Sequence, residues 1–165
     1  MLGLTPLGIV HTAVSMIAVV AGTIALSRDG AITPANLVGK AYIAATVITC
    51  LTGFGIFQHG GFGKPHVLGI VTLVVLAVAA VARLTRFYGR ASRYVETISY
   101  SATFLFHLIP GITETSTRLP PGAPLVASAD ASSLQVASGV LFLAFLVGVA
   151  WQVRSMRAKD QLPAR

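Results

Sequence analysis

Charge is scarce in this sequence of 165 residues: Asp, Glu, Lys and Arg together make up 10% of it, against about a quarter in soluble domains. Acidic groups are scarcer than basic ones, five against twelve. Cysteine is scarcer still. The single Cys50 excludes an intramolecular disulfide and a cysteine-based zinc site, and its place in an apolar run predicts a buried, inert thiol. The phosphate-binding pattern GxxxxGK[ST], the metalloprotease pattern HExxH and the nucleophile elbow GxSxG are all missing. The nearest glycine cluster, GGFG at 60–63, reads as a turn between helices. These absences disfavour an enzyme acting on a soluble substrate.

What fills the sequence is apolar. Hydrophobic residues make up 55% of the chain and the mean hydropathy is +0.80, with the apolar residues gathered in long runs nearly free of charge. A helix that crosses about 30 Å of hydrocarbon needs about 20 mostly apolar residues. Five segments meet that test: Leu4–Leu26, Leu37–Phe57, His66–Ala82, Tyr94–Ile112 and Val136–Val153. The expectation is an all-α integral membrane bundle of five transmembrane helices. Residues 1–120 form a four-helix core, 121–135 an outer loop, and 136–165 a fifth helix with a polar tail that frays after Arg154. Thr5-Pro6 opens the first helix and Ser27-Arg28-Asp29-Gly30 closes it. No Lys or Arg precedes that first run, so it reads as a retained span and not a removed signal peptide.

The net charge of +7 is distributed by topology. With five crossings, Arg28, Lys40, Arg83, Arg86, Arg90, Arg93, Arg154, Arg157, Lys159 and Arg165 fall on one face, and only Lys64 and Arg118 on the other. The positive-inside rule then sets the N-terminus outside and the C-terminus in the cytoplasm. Basic residues confined to short connections suit anionic lipid better than nucleic acid, so the lipid bilayer is the expected partner and nucleic acid is not. Tyr42, Tyr88, Tyr94, Phe62 and Trp151 sit near span ends and suit an interface belt, while Gly53 and Gly55 suit close helix approach.

The candidate functional residues are histidines. His11, His59, His66 and His107 all fall towards the outer face, and Thr103, His107, Gly111, Glu114 and Arg118 share one face of the fourth span. An imidazole inside hydrocarbon is costly unless partnered, which makes His11 and His107 functional candidates. Opposed across a bundle, they would ligate b-type haem, with His66 in reserve. A transition metal would draw instead on His59, His66 and Glu114 as well. The plainer roles are hydrogen bonds from His11 and His107 to Ser15, Thr103 or a carbonyl, and an i,i+4 ion pair between Glu114 and Arg118. Glu96 is expected to pair with Arg93 or Arg90, or to favour its helix N-terminus.

GGFGKPHV at 60–67, SYSATFLFHLIPG at 99–111, ETSTRLP at 114–120 and SRDGAITPANLVGKAYIAA at 27–45 together resemble a family of bacterial multi-pass membrane proteins known as domain of unknown function 2306. The resemblance covers about residues 8–120 and leaves the fifth span outside. It implies matched positions at His11, His66, Tyr100, Glu114 and Arg118, and a place in the bacterial inner (cytoplasmic) membrane. Two histidines usual in the family stand here as Ala35 and Ser92, which leaves an outer site alone to operate. The family's architecture is similar to the four-helix cores of b-type cytochromes, which implies a redox role. The alternatives are a non-catalytic accessory subunit of a larger membrane complex or homo-oligomer, and a small transporter. No interrupted pair of helices and no mid-bilayer charge favours the transporter.

Overall fold

A computed structural model describes residues 5–57 and 61–161, which form five α-helices and no strand. Helix α1 spans Pro6–Asp29, and the Thr5 side chain accepts the Gly8 N–H at 3.1 Å as its N-cap. Gly30 ends the helix in the left-handed region at φ 72°, a conformation that glycine adopts without a Cβ penalty, and its N–H reaches Leu26 O at 3.1 Å. Helix α2 spans Leu37–Gly53, with Asn36 accepting the Gly39 N–H at 2.9 Å. Helix α3 spans Lys64–Thr85, a short 3-10 turn follows at Gly89–Ala91, and α4 runs over Ser92–Arg118 through Pro110. Helix α5 spans Ser132–Asp160.

Three of these helices, α1, α3 and α5, are long and apolar enough to cross a membrane, and α2 is a shorter apolar helix of 17 residues. The second apolar run therefore stops being helical at Gly53, four residues before Phe57. Helix α4 has the length, 27 residues, but its polar face keeps it below the apolar standard that the three satisfy. The outer surfaces are apolar throughout, with Ile9, Met16, Val20, Val74, Leu143 and Val147 all exposed. A soluble protein rarely tolerates so continuous an apolar exterior.

Helices adjacent in sequence pack against each other, and α1 also meets α4, which closes a four-helix bundle with α5 laid against the outside of α4. The interior is built from small residues. Ala18, Ala21 and Ala25 recur at helical spacing on one face of α1 and pack with Tyr42, Ala45, Ala79 and Tyr100. Gly22 lies so close that a Cβ there would sit 2.5 Å from the Phe104 ring and 3.0 Å from that of Tyr42. Where solvent and lipid are both apolar or absent, such close approach and its dispersion contacts replace bulk hydrophobic drive. The glycines expected to allow it do so: Gly53 faces His11 and Gly55 faces Leu7.

Two expectations about the ends fail. From Arg154 to Asp160 the chain is part of helix α5, and the Asp160 carboxylate pairs with Arg93 on α4; the rest of the expected tail lies outside the described residues. Glu96 consequently does not pair with Arg93 or Arg90; it accepts from Arg83 of α3 at 2.9 Å. Above Arg93–Asp160 the same two helices are joined by Thr97 Oγ1 to Met156 Sδ at 3.7 Å and Ser101 Oγ to Gln152 Oε1 at 3.0 Å. Each rung steps four residues along both helices, which keeps the contacts on one face of each. Gln152 also donates from Nε2 to Gly30 O at 2.9 Å, and so ties α5 to the end of α1.

Gly39 offers a direct test of this packing. A Cβ at that position would lie 1.8 Å from the Thr33 carbonyl oxygen, a backbone atom that cannot rotate away. Gly39→Ala is expected to lower stability in detergent by at least about 2 kcal/mol. Gly139→Ala, where a Cβ meets nothing within 4 Å, is expected to leave the thermal melting point unchanged or raised.

Candidate functional site

Helix α2 supplies the floor of the site. Thr46, Thr49 and Thr52 recur every three residues along it, and Tyr42 lies one turn below Thr46. A threonine within a helix can return its hydroxyl proton to its own backbone, and Thr46 and Thr52 do so, whereas Thr49 Oγ1 is buried with no partner among the described residues. Thr46 Oγ1 donates to Tyr42 O at 2.8 Å, and Thr52 Oγ1 donates to Ile48 O at 2.8 Å. Thr103 on α4 does the same towards Tyr100 O at 2.8 Å. With its one proton spent, each hydroxyl can only accept from anything else that reaches it.

That rule fixes the protonation of both intramembrane candidates. His107 Nε2 lies 3.1 Å from Thr46 Oγ1 and so carries the hydrogen, which leaves Nδ1 as the lone pair of the neutral ring. His11 Nδ1 lies 3.2 Å from Thr52 Oγ1, and the same ring hydrogen-bonds the Thr49 backbone carbonyl. By the same reasoning the Tyr42 hydroxyl donates to Thr103 Oγ1 at 2.8 Å. His107 is buried, at 9% exposure, and its ring meets that of Tyr42 edge-on with centroids 6.1 Å apart. His11 is half-buried between α1 and α2.

The other predicted residues stand apart from this pair. His66 occupies the first turn of α3, where its Nδ1 accepts the Gly63 N–H at 3.2 Å and its ring stacks between Phe57 and Phe62 at 5.0 and 5.2 Å. Its neutral ring therefore carries the hydrogen on Nε2, and that atom is buried with no partner among the described residues. His59 lies outside the described residues. Glu114 and Arg118 form the expected ion pair at 2.5 Å on the exposed end of α4. Gly111 and Glu114 are exposed, so the polar stripe of α4 is buried only over Thr103 and His107. Tyr42 is not in an interface belt: it is fully buried, because Thr103 provides the acceptor its hydroxyl needs. Cys50 is buried, as expected.

Of the partners expected, Ser15, Thr103 or a carbonyl, His11 has a carbonyl, that of Thr49, and its side-chain partner is Thr52; His107 meets Thr46 rather than Thr103. The three-residue threonine spacing of α2 was the available signal, since it lines one helical face with groups able to accept from an imidazole. No family model, curated protein or solved structure matches the chain.

A bis-histidine haem takes a lone pair from each of two rings facing one another across a flat space. No histidine lines the grooves of about 480 Å³ beside α1 and α2 and about 200 Å³ beside α4 and α5. A ligating histidine ordinarily donates its other ring N–H to a fixed acceptor, and Thr52 and Thr46 fill that position for His11 and His107. Among the described residues no three of His, Cys, Asp and Glu form a ready-made metal cluster.

Thr46 governs the His107 tautomer, which can be read directly. Thr46→Val is expected to move the ring proton off Nε2 in ¹⁵N NMR spectra and to cost about 1–3 kcal/mol for the unpaired buried donor. Thr46→Ser is expected to restore both.

Proposed function

We propose that this chain is an integral membrane protein that crosses the bilayer five times, with its N-terminus outside and its C-terminus in the cytoplasm. We further propose that it binds a transition-metal ion in a redox role, through His11 and His107 in the outer leaflet. The observation that carries the metal reading is the pair of threonine-tethered imidazoles on α1 and α4, His11 against Thr52 and His107 against Thr46. A base buried in an apolar interior, as His107 is, is expensive unless something uses its lone pair. Imidazole ligands suit copper or iron, whereas a structural zinc site would be closed by four protein ligands. When bound, such an ion would supply one-electron chemistry, and the residues of the chain would hold it and exclude lipid from it.

The crossings are supported by hydropathy and by the ten-to-two distribution of basic residues, which hydropathy does not use. In the middle of α4 the polar residues Tyr100, Ser101, Thr103 and His107 face the bundle, and the exposed ones, Arg93, Glu114 and Thr115, lie towards its two ends. A reporter fused after Asp160 is expected to be active only where it requires the cytoplasm, and one inserted at Ala123 only where it requires the outer compartment. The reverse pattern would overturn the orientation.

The metal reading is tested by elemental analysis of protein purified without chelator, followed by titration with copper and iron salts. About one equivalent is expected per chain, falling at least tenfold in His11→Ala and in His107→Ala, with retained helical content by circular dichroism. Equal metal content in wild type and both variants would overturn it.

A further inference from the structure

Helix α3 ends on an arginine where α1 ends on a glycine. Arg86 caps α3 at φ 50° and ψ 30°, and it is the only residue other than glycine at positive φ among the described residues. Gly30 takes the same left-handed region at the end of α1 without a Cβ penalty. Arginine does pay that penalty, and a strained residue persists where its side chain has a use. The turn that follows is fixed by its own bonds. Thr85 Oγ1 accepts the Phe87 N–H at 3.1 Å, and Arg86 O accepts the Gly89 N–H at 2.7 Å. The rings of Phe87 and Tyr88 meet edge-on with centroids 5.2 Å apart. This ordered turn is nevertheless bare: every residue from 83 to 91 is exposed, Leu84 at 80% and Phe87 at 77%.

Charge divides the four arginines around the turn into two kinds. Arg83 is bound to Glu96, and Arg93 to Asp160. Arg86 and Arg90 have no carboxylate within salt-bridge distance, because all five acidic residues of the chain are already paired with other cations. A fixed counter-charge for these two therefore lies outside the chain. The tight turn from Arg86 to Gly89 keeps their backbones close, with Phe87 between them in sequence. A soluble anion or an acidic peptide would match the charge but leave Leu84 and Phe87 in water. An anionic phospholipid matches both, with phosphate for the guanidinium groups and acyl chain for the apolar pair.

We propose that the α3–α4 turn is a binding site for one anionic phospholipid of the cytoplasmic leaflet, its phosphate held by Arg86 and Arg90 and its acyl region meeting Leu84 and Phe87. Basic clusters at the cytoplasmic ends of transmembrane helices take such headgroups, and the planar guanidinium fork matches phosphate oxygens. Arg86 is held in the left-handed region because its side chain, which glycine lacks, is one half of the clamp. The site lies at the other end of the bundle from His11 and His107, and it rests on the membrane reading above.

The test uses the full chain purified in mild detergent and titrated with phosphatidylglycerol or phosphatidylcholine, read by native mass spectrometry and thermal melting. Phosphatidylglycerol is expected to be retained at one per chain, about tenfold more tightly than phosphatidylcholine. Arg86→Gly removes the cation while relieving the backbone, so the lipid-free melting temperature is expected to hold or rise. Its preference for phosphatidylglycerol is expected to fall by about fivefold. Arg86→Gly/Arg90→Gln is expected to abolish the preference. Arg154→Gln/Arg157→Gln, which removes the same charge from α5, is expected to keep it. Equal binding of the two lipids by wild type, or equal loss of preference in the two double variants, would overturn the proposal. Release of the chain from membranes by alkaline carbonate would overturn the membrane reading itself, so the two failures are distinguishable.

Discussion

A donor placed inside an apolar bundle has only the chain to bond to, and the rest of this structure is arranged around that constraint. Within the four-helix core, the rings of His11 and His107 and the hydroxyl of Tyr42 each meet a threonine of another helix. Threonine serves because its hydroxyl is satisfied from below by its own helix and still has a lone pair free on the outward side. A serine, asparagine or glutamine in the same place would also bond, but with more rotameric freedom or with further polar atoms to satisfy. The outcome is directional: protons run from the imidazoles and phenol into α2 and α4 and terminate on backbone carbonyls. The histidines cannot exchange roles with their acceptors unless a threonine gives up its backbone bond.

The fifth helix obeys the same constraint by a different route. Its single buried polar residue within the apolar run, Gln152, has an amide that can donate and accept at once, and it uses both functions. It accepts from Ser101 and donates to the carbonyl of Gly30. That carbonyl is available because Gly30 has turned into the left-handed region and left the helix. The helix cap of α1 and the docking of α5 are thus one feature. With Met156 and Asp160 on the same face, the lower half of α5 has a defined register against α4, whereas the upper half is joined mainly through apolar contact. The groove beside α4 and α5 follows from that asymmetry.

The helices were legible because each is an apolar run bounded by residues with local chemistry of their own. Thr5-Pro6 and Gly30 are visible as caps before any fold is known, and both act as caps, whereas the Asn36 cap of α2 emerges only in the structure. The ends that were misread are those decided by distant partners. The C-terminal turns of α5 look like a polar tail until Arg93, far away in sequence, meets Asp160. Glu96 has an obvious neighbour in Arg93, but α3 brings Arg83 closer and Asp160 has already claimed Arg93. Tyr42 looks like an interface aromatic from its position near a span end, and only the arrival of Thr103 across the bundle explains its burial. Helical spacing assigns residues to faces; which face meets which depends on packing that no single segment encodes.

The site shows the same division. That His11 and His107 should lie at similar depth followed from their distances to the span ends. Which groups each ring meets was not readable, because it depends on the threonines of α2, and those were not on the list of ligands or partners. With Nε2 of His107 against Thr46, the ring offers Nδ1 to anything else that approaches, so the threonine that satisfies the ring also orients it.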